Sequence, residues 1–422
     1  MMEGCTEVAK GKVRIAVVTP FLDRRHGTER CVAEQIERLA DEYEIHLYSS
    51  EVRDVDLSKI IWHRVPRLPG PLIAAFCWWV FANHWCRWRD RRMRKLDCEV
   101  VFSPGINCLD ADVIAVHIVF AEFYRLTHQE LALKHNAIST WPWLIHRKLW
   151  YRLIMTLERK IYTQNEIPLA VISRKMEQDL LRCLHRRDNI CLIYHAVDVE
   201  HLNPVRCRGL RAEARRKLQL SDDSFAILII GNDWKKKGLP CLLEAVARLR
   251  NPNLWILVRG QDGLSSCRDL FQKHGLEDRL RILPEVAQIE SYYAATDLYV
   301  GPSLEDSFAL PPLEAMACGI PAIVSGQMGA SEIITDGLDG FILDDPRDSA
   351  RLAQLIDLLY RNTALRQKIG EAAVRTAHAY TWERNARQLK QLVEDVVRRK
   401  SCESVARLNA RDAAAALPSK LR

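Results

Sequence analysis

No close CxxC pair occurs among the thirteen cysteines, which are scattered from Cys5 to Cys402. Such spacing suggests no metal cluster. A signal-peptide pattern is missing as well: the opening MMEGCTEVAKGKVRIAVVTP holds a short apolar strand where an h-region would lie. An odd thiol count without an export signal predicts reduced, mostly buried cysteines in a cytoplasmic protein. Long apolar runs are scarce. The most aromatic charge-poor stretch, PLIAAFCWWVFANHWC from Pro71 to Cys86, has sixteen residues and contains Asn83 and His84. It falls short of a bilayer span, so no transmembrane helix is expected. GxGxxG and GxxxxGK[ST] are both absent, which removes the dinucleotide fingerprint and makes a nucleoside triphosphatase a poor fit. No two carboxylates are convincingly placed for glycoside hydrolysis either.

What remains is an ordinary globular composition, 48% apolar and 27% charged over 422 residues. That length implies two or three domains with ample core. A formal charge of +7 permits weak attraction to anionic lipid or nucleic acid. No nucleic-acid fingerprint accompanies it, so none is expected as a partner.

Strand and helix patterns alternate. KVRIAVVTP reads as a buried strand, GTERCVAEQIERLADEY as a helix and EIHLYSS as the next strand. CEVVFSP, ADVIAVHIVF, PLAVIS and NICLIYHAVD continue the series up to a boundary near VEHLNP. A second series runs through SFAILIIGNDW, the helix GLPCLLEAVARL, then LWILVRG, RLRILPEV, ATDLYVGPS and IPAIVS. Two successive α/β halves with parallel sheets follow from this order. A last helix is expected from about Trp382 to Lys400, ahead of a tail with weak apolar periodicity and an alanine run.

In such folds ligands sit beyond the C-terminal ends of the strands. Gly27 precedes the first helix and would let backbone amides approach an anion, or is a plain turn glycine. In the second half, Gly231 follows a strand, and Lys235, Lys236 and Lys237 precede Gly238 and a helix. A cation beside helix-terminal amides suits a diphosphate, with Lys237 the preferred ligand; three lysines also suit a solvated face. The stretch SLEDSFALPPLEAMACG follows the strand ending near Pro302. Pro311 and Pro312 are tolerated only at a helix start, so the helix is expected over Leu313 to Cys318, with Glu314 in its first turn. There a carboxylate gains from the helix dipole, or accepts two bonds from a vicinal diol such as ribose.

On these residues the chain resembles the retaining nucleotide-sugar glycosyltransferases of the GT-B group called family 4, over about residues 12–395 and most strongly from Gly301 to Asp345. The resemblance implies two facing Rossmann-like α/β domains across a deep cleft. An acceptor domain would span 1–200, a nucleotide-sugar domain 201–380, and a C-terminal helix with a basic tail 381–422. It implies that Glu314 holds the donor ribose, as the second member of the family's Glu-x7-Glu. Asp306 stands at the first position, one methylene shorter, with Glu305 beside it to compensate. The amides of Phe308, Ala309 and Leu310 would approach the sugar or β-phosphate, and Leu313 would line the ribose side. Lys237 fits the family's diphosphate lysine, helped by Lys236, while Asn232 stands where many members have arginine. Gly27 fits the second glycine of the N-terminal Gly-Gly loop, with His26 in place of the first. His117 matches a cleft histidine that would bond the transferred sugar; otherwise it is a satisfied core histidine. Arg174 is a weaker cleft cation, and Glu332 of GASEII reads as a structural turn residue.

The implied reaction is glycosyl transfer to a hydroxyl with retention and without an obligatory metal or other cofactor. GNDWKKKG looks like the corresponding stretch of lipopolysaccharide core glucosyltransferases, which points to UDP-glucose as donor. Eight of the eleven tryptophans lie between Trp62 and Trp150, interleaved with arginine and lysine. Aromatics and cations in that pattern anchor a protein peripherally on an anionic membrane, here the inner face of the cell membrane, or bind a lipid-linked saccharide acceptor. They equally form a helical core with a basic edge. The remaining alternatives are a transferase acting on a soluble polysaccharide and a non-catalytic nucleotide-sugar-binding protein.

Overall fold

The computed structural model describes residues 12–129, 131, 137–260, 268–284 and 289–415. The chain forms two compact units. One comprises Met1–Val171, Met176–Ile193 and Asn385–Arg422; the other comprises Ile172–Lys175 and Tyr194–Arg384.

The first unit opens with β1 (Arg14–Val18), β2 (Phe21–Leu22), α1 (Gly27–Leu39), β3 (Glu44–Ser49), β4 (Glu51–Val52) and β5 (Ile60–Arg64). It continues through α2 (Leu72–Arg94), β6 (Val100–Pro104), β7 (Val113–Val116), α3 (Phe120–Thr127), α4 (Trp141–Tyr162) and β8 (Leu169–Val171). α5 (Arg174–Leu184) and β9 (Ile190–Leu192) complete this part of the chain. Seven strands form one parallel sheet in the order β5-β3-β1-β6-β7-β8-β9, and β2 pairs with β4 apart from it. Ile15–Val18 are buried without alternation, as expected of a strand covered on both faces. Strand order reverses between β1 and β6, the switch point of a doubly wound sheet. The sequence reading found every strand of this sheet except β5, whose IIWHR is only five residues long and mostly exposed beyond Ile60, with no alternation to mark it.

Glu158 of α4 fixes the connection from β7 to α3. Its carboxylate accepts from Phe120 N at 2.7 Å and Ala121 N at 2.9 Å, satisfying two orphan amides of the helix start. The side chain is buried, and burial pushes its carboxyl up to about 7 against the pull of those two bonds. Because the folded pKa exceeds the unfolded value, the folded state binds the extra proton. Stability is therefore lost as pH rises from about 4.5 to about 7, by up to about 1.4 kcal/mol per pH unit. Buried His117, pushed down to about 4 by desolvation, acts with the opposite sign between about 4 and its ordinary 6.5. The difference in melting temperature between wild type and Glu158→Gln isolates the carboxylate. We expect wild type to lose ground to the variant as pH rises from about 5 to about 7; parallel curves would refute the assignment.

The second unit begins with α6 (Pro204–Lys217), β10 (Phe225–Ile230), α7 (Leu239–Leu249), β11 (Leu254–Arg259) and α8 (Arg268–His274). Then come β12 (Leu280–Leu283), α9 (Glu290–Ala295), β13 (Leu298–Gly301), α10 (Leu310–Ala317), β14 (Ala322–Ser325) and β15 (Phe341–Leu343). α11 (Ser349–Arg361), α12 (Thr363–Ala377) and α13 (Trp382–Ala415) close the chain. Its six parallel strands run β12-β11-β10-β13-β14-β15, so here the order reverses between β10 and β13. Ile227, Ile229, Leu242, Val246, Ile256 and Val300 are among the residues of its core. The three-residue β15 escaped the sequence reading, being too short to show a period.

From Asn385 on, α13 belongs to the first unit. Leu389, Leu392, Val393 and Val396 pack with Ile15, Val17 and Ile36 at helical spacing. The helix expected to stop near Lys400 runs on to Ala415, the alanine run holding it by propensity; residues 416–422 lie outside the described residues. Six of the eleven described cysteines are buried and all are thiols.

Candidate functional site

In the second unit the loops that follow β10 and β13 are neighbours because those strands pair. They lie at the switch point, where neighbouring helices depart to opposite faces of the sheet and leave a crevice. The first loop carries 231–238 and the second 302–309.

Two glycines shape the first loop. Gly231 (φ +148°) lies under the side chain of Lys237: a β-carbon there would come within 2.7 Å of Lys237 Cε. Gly238 (φ +82°) caps α7, and its β-carbon would fall 1.9 Å from the carbonyl oxygen of Pro302. The loops are thus sealed backbone to backbone, and Leu304 N adds a bond to Lys236 O at 2.8 Å. Lys237 extends along Gly231 and pairs with the carboxylate of Asp306. This cation and anion, 69 residues apart, meet across the switch point.

Asp306 is held by its backbone on both sides. Its amide donates to Gln327 O (3.2 Å), its carbonyl accepts from Gly329 N (3.1 Å), and its carboxylate accepts from Phe308 N (3.3 Å). Ala330 N donates to Phe308 O at 2.8 Å, and Ser173 Oγ to Ser307 O at 2.8 Å. Glu305 turns the other way, toward Lys175 Nζ at 3.1 Å. The carboxylate facing Lys237 is therefore that of Asp306.

α10 begins at Leu310, earlier than the expected Leu313. Pro311 and Pro312 occupy its first turn, where the missing N–H groups cost nothing. Glu314 is consequently the fifth helical residue, one turn deeper than expected, and the first turn contains no acid. It is 2% exposed and accepts from Tyr293 Oη at 2.6 Å. Burial, then the charge of Glu314, pushes the Tyr293 hydroxyl well above its ordinary range, so it remains a donor. Ala309, the residue before the helix, has φ +69°, a left-handed conformation costly for a side chain with a β-carbon. Phe308 and Leu313 are wholly buried; Phe308 packs edge-on to His195, with ring centroids 5.2 Å apart. At the helix start their backbone, rather than their side chains, is what a ligand would meet.

The other expected residues fall as follows. Asn232 is exposed in the first loop, and Lys236 is partly exposed and paired with Asp233 at 3.2 Å. Gly27 opens α1 in the first unit, where a β-carbon would meet nothing within 4 Å. His117, directly after β7, is 9% exposed. Glu332 accepts from Arg174 N and Lys175 N, both at 2.8 Å, and from Tyr194 Oη at 3.0 Å. That is the structural part the sequence suggested for it. Tyr293, Lys175 and Ser173 were not foreseen. Ser173 ends AVIS and Lys175 lies two residues beyond it, the one signal available; for Tyr293 there was none.

Residues 211–376 match the family model described as Glycosyl transferases group 1. The D-inositol 3-phosphate glycosyltransferase of Thermobifida fusca is 30% identical over 210 residues, covering 46% of this chain and 47% of that protein. The protein of the same name from Geodermatophilus obscurus is 32% identical over 209 residues, covering 46% and 44%. The chain thus spans about half the length of the curated relatives it matches. Among solved structures, WaaG, a glycosyltransferase involved in lipopolysaccharide biosynthesis, aligns over 90% of this chain and 99% of its own, with TM-score 0.74 at 16% identity. Anabaena HepE in complex with UDP-glucose aligns over 90% and 99%, with TM-score 0.65 at 18% identity. At such identities the likeness shows the fold, which is GT-B: two Rossmann-like α/β domains.

Proposed function

We propose that this chain transfers a hexose from a nucleotide diphosphate sugar, UDP-glucose by preference, to a hydroxyl of a saccharide or lipid-linked saccharide, with retention of configuration and in the cytoplasm. One observation carries the reading: Lys237 and Asp306 converge at the switch point of the unit that matches the group 1 glycosyltransferase model. HepE, solved in complex with UDP-glucose, and WaaG, involved in lipopolysaccharide biosynthesis, support the finer choice of donor and acceptor.

In this reading the bond from the anomeric carbon to the diphosphate oxygen breaks as the acceptor oxygen bonds to that carbon, and the acceptor's proton passes to the departing diphosphate oxygen. Negative charge accumulates on the leaving diphosphate. Lys237, with Lys236 behind it, and the amides of Phe308, Ala309 and Leu310 meet that charge, and preorganised donors of this kind are the largest single source of rate. A phosphate draws Lys237 away from Asp306, freeing the Asp306 carboxylate to accept from a sugar hydroxyl. Glu314, steered by Tyr293, accepts from the ribose. No residue is assigned as a covalent nucleophile, and no metal enters the scheme.

A donor-hydrolysis screen over UDP-, GDP- and ADP-sugars, followed by anomer analysis of the product, tests the proposal. UDP-glucose should be turned over fastest, with the anomer retained. Absence of binding for every nucleotide and sugar in the panel would overturn it.

A further inference from the structure

Two helices of the first unit expose apolar faces that its core does not explain. α2 buries Trp79, Ala82, Asn83, Cys86 and Asp90. Its other side shows Cys77, Phe81, Trp85 and Trp88, spaced four, four and three residues apart, which is one stripe of a helix. Phe81 is 60% exposed and Trp88 52%. α4 repeats the arrangement with Trp141, Ile145 and Leu149 at intervals of four, while Leu144, Tyr151, Ile154 and Glu158 face inward. The two helices touch through Phe76 and Trp150, edge to face with ring centroids 5.2 Å apart. None of these exposed residues belongs to the candidate donor site.

Charge is distributed with the same order on both helices. Each stripe runs into exposed arginine: Arg92 lies four residues beyond Trp88, and Arg152 three beyond Leu149. Arg89 lies over the ring of Trp85 at 5.4 Å and Arg147 over that of Trp143 at 5.1 Å. Each helix holds five lysines and arginines and one carboxylate, Asp90 or Glu158. Both carboxylates are turned inward with 0% exposure. On α2, Arg87 pairs with Asp110, Arg91 with Asp97, and Arg89 and Arg94 with Asp90, so the charge of its exposed side rests on Arg92 and on the outward ends of those pairs, while α4 adds Arg147, Lys148, Arg152, Arg159 and Lys160.

We propose that these two faces seat the protein on an anionic lipid surface. An acidic protein would neutralise the arginines while leaving Phe81, Trp88 and Leu149 without an apolar counterpart. A leaflet satisfies both demands at once, because its phosphates lie just above its acyl chains. Aromatic side chains enter the boundary, and arginine stems reach back to the headgroups. Among the described residues no helix is long and apolar enough to cross a membrane, so the contact is a surface one. The inference does not depend on the donor, and it stands even if the chain transfers nothing.

Vesicle flotation of the full chain is the test, with phosphatidylcholine alone and with about one-third phosphatidylglycerol added. The protein floats with the anionic vesicles, and raising salt weakens the association severalfold. The triple substitution Phe81→Ser, Trp85→Ser, Trp88→Ser and the double Trp141→Ser, Ile145→Ser each lower flotation by about tenfold or more. All five positions are exposed, so thermal melting should stay near wild type and certify the fold. Absence of flotation, or equal flotation of wild type and both variants, overturns the proposal. So does concentration-dependent self-association that both variants abolish without any flotation, which would assign the faces to a second copy of the chain.

Discussion

Replacing Lys237 by alanine should lower kcat/KM for the nucleotide sugar by about 10²–10³-fold, while the melting temperature barely moves. The two halves of that expectation have separate causes. Lys237 pairs with Asp306 at a partly exposed position, with 26% of the lysine side chain and 13% of the aspartate open to solvent. Such a pair contributes on the order of 0–1 kcal/mol to folding, since water screens it and holding two side chains costs entropy. The loss in the transition state is larger because charge there develops on the diphosphate, next to a cation that Gly231 lets lie flat along the loop. Asn232 in the same loop carries no charge, so only Lys236, paired with Asp233, is left to take over when Lys237 goes. Asp306→Asn separates the roles of the pair: it removes the carboxylate while leaving the lysine for the phosphate. It should therefore retain more nucleotide affinity than Lys237→Ala and lose more in kcat than in KM. Turnover of Lys237→Ala within about threefold of wild type would remove the lysine from the mechanism.

Much of this site could be read in the chain because its parts are local. Strands such as FAILII and LYVG are short apolar runs closed by glycine, and the loops after them carry the charged residues. The pairing of Lys237 with Asp306 follows from strand order: once β10 lies beside β13, their loops have to meet. What could not be read depends on contacts between distant segments. Tyr293 reaches Glu314 only because α9 and α10 flank β13, and no local pattern marks a tyrosine as a second partner for a carboxylate. Lys175 meets Glu305 across 130 residues. The apolar face of α13 was legible as helix, but its periodicity says nothing about which core receives it; Leu389 and Val393 lie in the first. The start of α10 was misplaced for a different reason. Pro311 and Pro312 were taken to precede the helix, whereas proline is at home inside its first turn, which moves Glu314 one turn inward.

Gly238→Ala should be the most damaging single methyl in the second unit. At φ +82° an alanine is strained by about 1–2 kcal/mol before any contact is considered. Its β-carbon would also stand 1.9 Å from the Pro302 carbonyl oxygen, and both partners are backbone, so neither can swing aside as a side chain would. Overpacking of this kind costs about 1–3 kcal/mol, for a total near 3 kcal/mol and a melting point lower by about 10 °C. The seal between the loops would open with it, moving Lys237 away from Asp306, so nucleotide-sugar turnover should fall even below the melting transition. Two neighbouring cases give the comparison its sign. Gly27→Ala meets open space without a left-handed φ, and the melting point should hold or rise slightly. Ala309→Gly relieves a residue at φ +69° and should stabilise by about 1 kcal/mol. Calorimetric melting of the three variants beside wild type checks the order. If Gly238→Ala melts as high as Gly27→Ala, the two loops are not joined through the Gly238–Pro302 contact.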